Sequence, residues 1–135
     1  MGVHLSSNDR QQLLDWALQA GEHECCGLLR GNGDRIAAVQ LAQNVAADTK
    51  RYFEINPAAL ITAYVAARTG GLPVCGYFHS HPSGMAEPSA TDIAQAPRDG
   101  LVWLIIAGGL ITAWQPVVAG ARVSGFRPVS LIVEG

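Results

Sequence analysis

The segment YFHSHPSGMAEPSATD, residues 77–92, contains two histidines two positions apart and an aspartate further along the chain. Alternate side chains of a β-strand project to the same face, so His79 and His81 would lie about 7 Å apart at Cα with both rings on one side. Two imidazoles in this arrangement can bind one metal ion. The proline- and glycine-containing stretch after His81 lets the chain turn back, so that Asp92 can supply a third ligand.

Two histidines and one carboxylate leave a fourth tetrahedral position for water, which is typical of catalytic rather than structural zinc sites. The same residues also have an ordinary structural interpretation. Ser89 and Asp92 have the spacing of a helix capping box, and histidine pairs on strands are common without a metal. These residues alone leave both interpretations open.

The elements around this segment alternate between helical and extended patterns. Ser6 and Asp9 have capping-box spacing ahead of an apolar helical face, which predicts a helix from Ser6 to Ala20 that Gly21 closes. Asn56 and Pro57 predict the start of a second helix, because asparagine caps well and proline suits the first turn.

Short runs of apolar and β-branched residues, bounded by glycine and proline, predict strands. We expect strands at residues 25–30, 36–41, 73–81, 101–106, 110–115, 123–126 and 129–133, and a short helix at 89–96. This order predicts a mixed β-sheet with helices on its faces.

Composition narrows the class of protein. The 135 residues are 49% apolar and 15% charged, as expected for one globular domain. The net charge is −2 with no basic cluster, which disfavours nucleic acid as a partner. The apolar run 101–114 is too short to span a membrane, and the polar residues near the start disfavour a signal peptide. Three cysteines suit a reducing compartment, so we expect a cytoplasmic protein.

A second segment, EHECCGLLRG at residues 22–31, places Glu24 shortly before Gly27-Leu28. Together the two segments resemble the JAMM (MPN-plus) metalloproteases, zinc isopeptidases that act on ubiquitin-like modifiers. The pattern of that family is a glutamate before Gly-Leu and, much later, His-Ser-His, seven residues, Ser, two residues and Asp. The segment RYFEINPAAL also resembles the family, and the similarity covers about residues 10–115.

The resemblance implies a role for each matching residue. His79, His81 and Asp92 would bind one Zn²⁺ ion per chain, Glu24 would be the general acid and base, and Ser89 would stabilise the oxyanion. The implied fold is a cytidine-deaminase-like α/β sandwich, a curved mixed sheet flanked by helices, in a single domain spanning residues 1–135. Glu22 is the alternative base, but only Glu24 has the family's distance to the glycine.

Small stand-alone prokaryotic members are the most similar in size. They imply a zinc peptidase or isopeptidase that cuts after the C-terminal glycine of a ubiquitin-like sulfur-carrier protein. Two alternatives belong to other classes: a catalytically silent MPN-type scaffold, and a zinc hydrolase of small amides. A thiol protease using Cys25 or Cys26 is disfavoured, since buried free cysteines behave as small hydrophobes.

Overall fold

The computed structural model describes residues 2–135. The strands in this range are β1 (Gly2–Ser6), β2 (Cys26–Asn32), β3 (Arg35–Ala42), β4 (Val74–Ser80), β5 (Val102–Ala107), β6 (Leu110–Ala119) and β7 (Arg122–Glu134). The helices are α1 (Ser7–Ala20), α2 (Pro57–Arg68) and α3 (Ala90–Gln95). None of these helices is long and apolar enough to cross a membrane.

The strands form one mixed sheet that closes on itself in the order β1-β3-β2-β4-β5-β6-β7. β4 lies between β2, which runs antiparallel to it, and β5, which runs parallel. β7 changes partner along its length: residues 122–129 pair with β6, and residues 130–134 pair with β1. The shortest strand pairing in the ring is between β1 and β3, which pair only at His4 and Arg35.

Both longer helices begin at the residues that capping chemistry predicts, and α1 also ends where predicted. The Ser6 side chain accepts a hydrogen bond from the Asp9 backbone N–H (3.0 Å) at the start of α1. Gly21 ends α1 at a φ of 62°, a left-handed conformation that glycine adopts without strain. Asn56 caps α2, and Pro57 occupies its first turn.

Two hydrophobic clusters pack against opposite faces of the sheet. Adjacent residues of a strand point to opposite faces, and adjacent residues of β5 belong to different clusters. Leu104 of β5 belongs to the cluster that Leu13 of α1 joins. Trp103, beside it, belongs to the cluster that Ala63 of α2 joins. α1 and α2 therefore cover opposite faces, and the α2 side is the one that Tyr77 and His79 face.

The prediction of a mixed sheet flanked by helices in a single domain is confirmed. The sequence did not predict β1, and it divided β7 into two strands at residues 123–126 and 129–133, where the structure has one. The closure of the sheet through β7 was also not predicted. The closer assignment to the cytidine-deaminase-like sandwich stays a prediction.

Candidate metal centre

β4 and the residue after it present the two histidines. Every residue of β4 is buried, and His79 is 0% exposed. The backbone N–H of His81 donates to the Ile106 carbonyl (2.9 Å), which extends the pairing with β5 past the last strand residue. The Nε2 atoms of the two rings lie 2.9 Å apart. The imidazoles therefore converge on one point, as the strand periodicity predicts.

Asp92 reaches the same point from α3. Its Oδ2 atom lies 3.2 Å from Nε2 of His79 and 3.2 Å from Nε2 of His81. The Ser89 backbone N–H donates to this oxygen (2.9 Å), which orients the carboxylate. Asp92 is 5% exposed. The three atoms form a nearly equilateral triangle, which we call the ligand triangle.

The ligand triangle fits a tetrahedral zinc ion. Zinc bonds of about 2.0–2.2 Å place tetrahedral ligand atoms about 3.3 Å apart, close to the 2.9 and 3.2 Å between these atoms. Nδ1 of His81 lies 2.8 Å from the Met85 carbonyl oxygen. Because a carbonyl only accepts, Nδ1 carries a proton. With a metal ion bound, Nε2 of His81 would therefore be the nitrogen that offers its lone pair to the ion.

Burial and hydrogen bonding shift the pKa values within the ligand triangle. Burial would raise the pKa of Asp92, but hydrogen bonds with His79 and His81 outweigh it and hold the pKa well below its usual value. Complete burial lowers the pKa of His79. Burial also opposes charge on His81, yet the hydrogen bonds to Asp92 and to the Met85 carbonyl raise its pKa. An ionised carboxylate and a neutral buried imidazole are the protonation states that bind metal.

Glu24 lies two residues before β2 and faces the histidines. It is 7% exposed, and a carboxylate oxygen lies within 4.8 Å of a ring nitrogen of both His79 and His81. Glu24, His79 and His81 are thus a second set that could hold a metal. Asp92 contacts both rings directly, and Glu24 stands further back, so the geometry favours Asp92 as the third ligand. Burial raises the pKa of Glu24 to about 7, although the charge of His81 lowers it.

Gly27 sets the separation between the strands that carry the two motifs. It pairs with Phe78 of β4. A Cβ atom at this position would overlap the Phe78 ring and the Gln40 carbonyl oxygen. A side chain there would push β2, with Glu24, away from β4, with His79. This contact is a physical reason for the glycine in the first motif.

Ser89 forms the predicted helix cap, and it also borders the candidate site. Its Oγ accepts from the Asp92 N–H (3.0 Å), and its own N–H donates to Asp92, which completes a capping box at the start of α3. The cap uses an oxygen lone pair, so the hydroxyl proton is still free to be donated. Ser89 lines a cavity of about 260 Å³ together with Glu24 and His81.

The competing residues lie elsewhere or are chemically unsuited. Glu22 is 84% exposed in its side chain and pairs with Lys50 (3.4 Å). The three cysteines are free and buried. Burial raises the pKa of the Cys26 thiol to about 12 and of the Cys75 thiol to about 11, and it also raises the pKa of Cys25. Protonated thiols are poor nucleophiles.

Two residues that support the site were not predicted. The Phe53 ring stacks on His79 with centroids 4.2 Å apart. The Asn44 side chain donates to the carbonyls of Glu24 and Tyr52 (3.0 Å each) and accepts from two backbone N–H groups. The RYFEINPAAL resemblance pointed to the segment containing Phe53. No local pattern identifies Asn44, because three of its four hydrogen-bond partners are 8 to 20 positions away.

Comparison with known proteins identifies the family. The family model described as prokaryotic homologues of the JAB domain matches residues 6–117, a range that contains all five predicted site residues. The chain therefore belongs to this family, which is the prokaryotic part of the JAMM/MPN group that the two motifs predicted.

Similar proteins agree with this assignment. A desampylase of Haloferax volcanii is 34% identical over 139 residues, covering 98% of this chain and 96% of the relative. The solution structure of a Desulfitobacterium hafniense protein superposes with a TM-score of 0.81 at 28% identity, covering 98% and 92% of the two chains. A JAB1/MPN-domain protein of Archaeoglobus fulgidus shares the fold, with a TM-score of 0.63, 20% identity and 98% coverage of both chains. The protein is thus a JAMM-type hydrolase.

Proposed function

We propose that the protein is a zinc-dependent peptidase or isopeptidase that hydrolyses the bond after the C-terminal glycine of a ubiquitin-like protein. The observation that carries this proposal is the convergence of His79, His81 and Asp92 on one point that the buried Glu24 carboxylate faces. The 34% identity to a protein named a desampylase supports a ubiquitin-like substrate.

In this proposal the ligand triangle holds zinc through His79, His81 and Asp92. Zinc bound by two histidines and a carboxylate supplies a Lewis acid that makes water nucleophilic near neutral pH. The Met85 carbonyl and the Ser89 N–H orient His81 and Asp92 through the hydrogen bonds described above. Such supporting bonds fix the direction of each ligand.

Glu24 is the general acid and base in this scheme. Its carboxylate takes a proton from the attacking water and returns it to the leaving amine. A group whose pKa lies near the working pH can do both, and burial brings the pKa of Glu24 to about 7. In this scheme the attacking water would lie in the cavity that Glu24 lines together with His81 and Ser89.

Ser89 donates its free hydroxyl proton to the carbonyl oxygen as that oxygen gains negative charge. A donor aimed at a developing oxyanion contributes about 2.7–4 kcal/mol to catalysis in well-studied cases. The helix cap holds Ser89 in place for this role, because its Oγ accepts from the Asp92 N–H.

The finer proposal is that the substrate is a sulfur-carrier protein ending in Gly-Gly, processed in the cytoplasm. The cavity of about 260 Å³ that Glu24, His81 and Ser89 line is where the Gly-Gly tail would lie. The three free, buried cysteines support a reducing compartment.

A panel of ubiquitin-like proteins, each fused through its Gly-Gly tail to a reporter, tests this function. We expect cleavage after the second glycine, loss of activity with a zinc chelator such as phenanthroline, and recovery on adding zinc. Iodoacetamide should have little effect, since the thiols are buried and protonated. Activity that survives chelation and is lost on alkylation would contradict the proposal.

A further inference from the structure

The loop between His81 and α3 supplies the group that orients one of the candidate zinc ligands. Nδ1 of His81 donates to the carbonyl oxygen of Met85 (2.8 Å). Met85 is 70% exposed, so its contribution to the site is made by its backbone. A hydrogen bond fixes the direction of a ring only if the acceptor is itself held in place. A contact outside the His81–Met85 pair must therefore fix this part of the loop.

Thr112 of β6 holds the loop at the residue that follows Met85. Its Oγ1 donates to the carbonyl oxygen of Ala86 (2.6 Å). Ala86 is 8% exposed and packs against Ile105 and Ala107 of β5. The Met85 carbonyl belongs to the planar peptide group that joins Met85 to Ala86. Because Ala86 is anchored to the sheet through its side chain and its carbonyl, the direction of the Met85 carbonyl is restricted as well.

Trp114 determines where the Thr112 hydroxyl directs its proton. The indole N–H is a donor only, and it donates to Thr112 Oγ1 (2.8 Å). Two carbonyl oxygens lie near this hydroxyl, that of Ala86 at 2.6 Å and that of Ile105 at 3.5 Å. Only the shorter distance is that of a normal O–H···O hydrogen bond, so the proton goes to Ala86. Hydrogen bonds linked in this way polarise and strengthen one another.

The register of the sheet relates this anchor to the other histidine. Ile105 of β5 pairs with His79 on one side and with Thr112 on the other. His79 lies within β4, whereas His81 follows the end of that strand and is oriented through the loop. Trp114, Thr112 and the loop thus position the His81 ring relative to the strands that position His79.

We propose that Thr112 and Trp114 are positioning residues of the candidate metal centre. They hold the Met85 carbonyl against His81, and the Thr112 hydroxyl thereby raises the affinity of the ligand triangle for zinc. Both residues act through the backbone of the loop rather than by binding the ion. The inference rests on the proposed function, because that proposal places zinc at the ligand triangle.

The test measures the zinc affinity of variants by competition with a chromogenic chelator. Thr112→Val keeps the shape of the side chain and removes the hydroxyl, and its affinity for zinc should be lower by about 10-fold, as for loss of an outer partner of a metal ligand. Thr112→Ser keeps the hydroxyl and should bind zinc nearly as tightly as the unmodified protein. Trp114→Phe should weaken zinc binding less than Thr112→Val does. The double variant should lose no more affinity than Thr112→Val alone, because both residues act through one hydroxyl.

Ile111→Val is the matched control. Ile111 precedes Thr112 on β6, is 7% exposed and belongs to the cluster on the α1 face of the sheet. Removing a methylene there destabilises the same strand and leaves the hydroxyl in place, so the zinc affinity should not change. Unchanged zinc affinity in Thr112→Val, or an equal loss in Ile111→Val, would overturn the inference. If Thr112→Val does not fold, Trp114→Phe is compared with Ile111→Val in the same way and by the same criteria.

The hydrogen bond of His81 provides a second readout that needs no zinc. In metal-free protein labelled with ¹⁵N-histidine, the Nδ1 proton of His81 should exchange with water more slowly in the unmodified protein and in Thr112→Ser than in Thr112→Val. Equal exchange rates in the three proteins would mean that Thr112 does not act through His81, which would also overturn the inference.

Zinc affinity and cleavage separate this inference from the proposed function. If Thr112→Val binds zinc more weakly but the unmodified protein cleaves none of the ubiquitin-like fusions, the proposed function fails and the inference stands. If the fusions are cleaved and Thr112→Val keeps full zinc affinity, the inference fails and the proposed function stands.

Discussion

At the scale of single residues, the site combines a tight ligand set with a carboxylate held at a distance. Asp92 Oδ2 contacts both imidazoles at 3.2 Å, and Glu24 is buried behind them. The site thus contains two carboxylates, those of Asp92 and Glu24, in different environments. Hydrogen bonds lower the pKa of Asp92 and suit it to a metal, and burial raises the pKa of Glu24 and suits it to proton transfer.

The ligand assignment predicts the zinc content of two variants. His79→Ala and Asp92→Ala each leave two protein ligands, and each should lose most of the one zinc ion expected per chain. Metal analysis of the purified proteins after dialysis measures this. The Glu87→Ala variant, which removes an exposed carboxylate of the same loop, is the control and should keep its zinc. Full zinc in both ligand variants would make the assignment wrong.

Burial of Glu24 predicts a pH-dependent stability in the metal-free protein. Its pKa is about 7 in the folded state and 4.5 when unperturbed. Between pH 4.5 and about pH 7, the Glu24 carboxyl is therefore protonated in the folded protein and ionised in the unfolded chain. Because the folded state holds the extra proton, the free energy of unfolding falls as the pH rises through this range.

Glutamine does not titrate, so metal-free Glu24→Gln should be more stable than the unmodified protein by about 1–3 kcal/mol near pH 8. The two proteins should be about equally stable near pH 4. Urea unfolding at both pH values measures the difference. A difference that does not change with pH would contradict the raised pKa.

At the scale of elements, the segment between β3 and α2 positions Glu24, the proposed base. Asn44 joins Glu24 to this segment through four hydrogen bonds. Asn44→Ala leaves these backbone groups without their partner, and we expect a loss of about 1–3 kcal/mol in the free energy of unfolding. Because Glu24 then loses its anchor, kcat should fall as well. Asn32→Ala, at the exposed last residue of β2, should change neither quantity in urea unfolding and kinetic assays.

Patterns of neighbouring residues in the sequence correctly predicted the elements that are determined by nearby residues. α1 and α2 begin where a side chain caps the first turn, and His79 and His81 share a face because strand periodicity requires it. β1 was not predicted, because it has only five residues and its last residue, Ser6, is also the N-cap of α1. β7 was divided because Gly125 and Pro128 interrupt its pattern, although its pairing continues past both residues. The assignment of Glu24 came from the motif resemblance, since its contacts to the loop and to the histidines arise only on folding.

At the scale of the whole molecule, β7 joins the two ends of the sheet. Residues 130–134 of β7 pair with β1, and Leu5 of β1 is 0% exposed in the cluster beneath α1. The ring is completed by a single pair between β1 and β3, His4 with Arg35. The closure also holds α1 against the face of the sheet opposite the candidate metal centre.

The packing of β1 predicts a large effect from a substitution far from the site. Leu5→Ala should lower the free energy of unfolding by about 2–5 kcal/mol, the usual cost of a cavity at a buried leucine. Leu18→Ala is the matched control, because Leu18 is 82% exposed on α1 and should cost little. Equal urea midpoints for the two variants would mean that β1 does not belong to the core.

In the proposed mechanism, Glu24 moves the proton in a reaction that zinc held by the ligand triangle would support. Glutamine keeps the size of the side chain and cannot accept a proton at neutral pH. The most direct measurement is therefore kcat for Glu24→Gln on a cleaved Gly-Gly fusion, with zinc content measured on the same sample. We expect Glu24→Gln to keep full zinc and to have a kcat lower by about 10²–10⁴, and Glu22→Gln to have a kcat close to that of the unmodified protein. Full activity in Glu24→Gln, or loss of activity in Glu22→Gln instead, would contradict this mechanism.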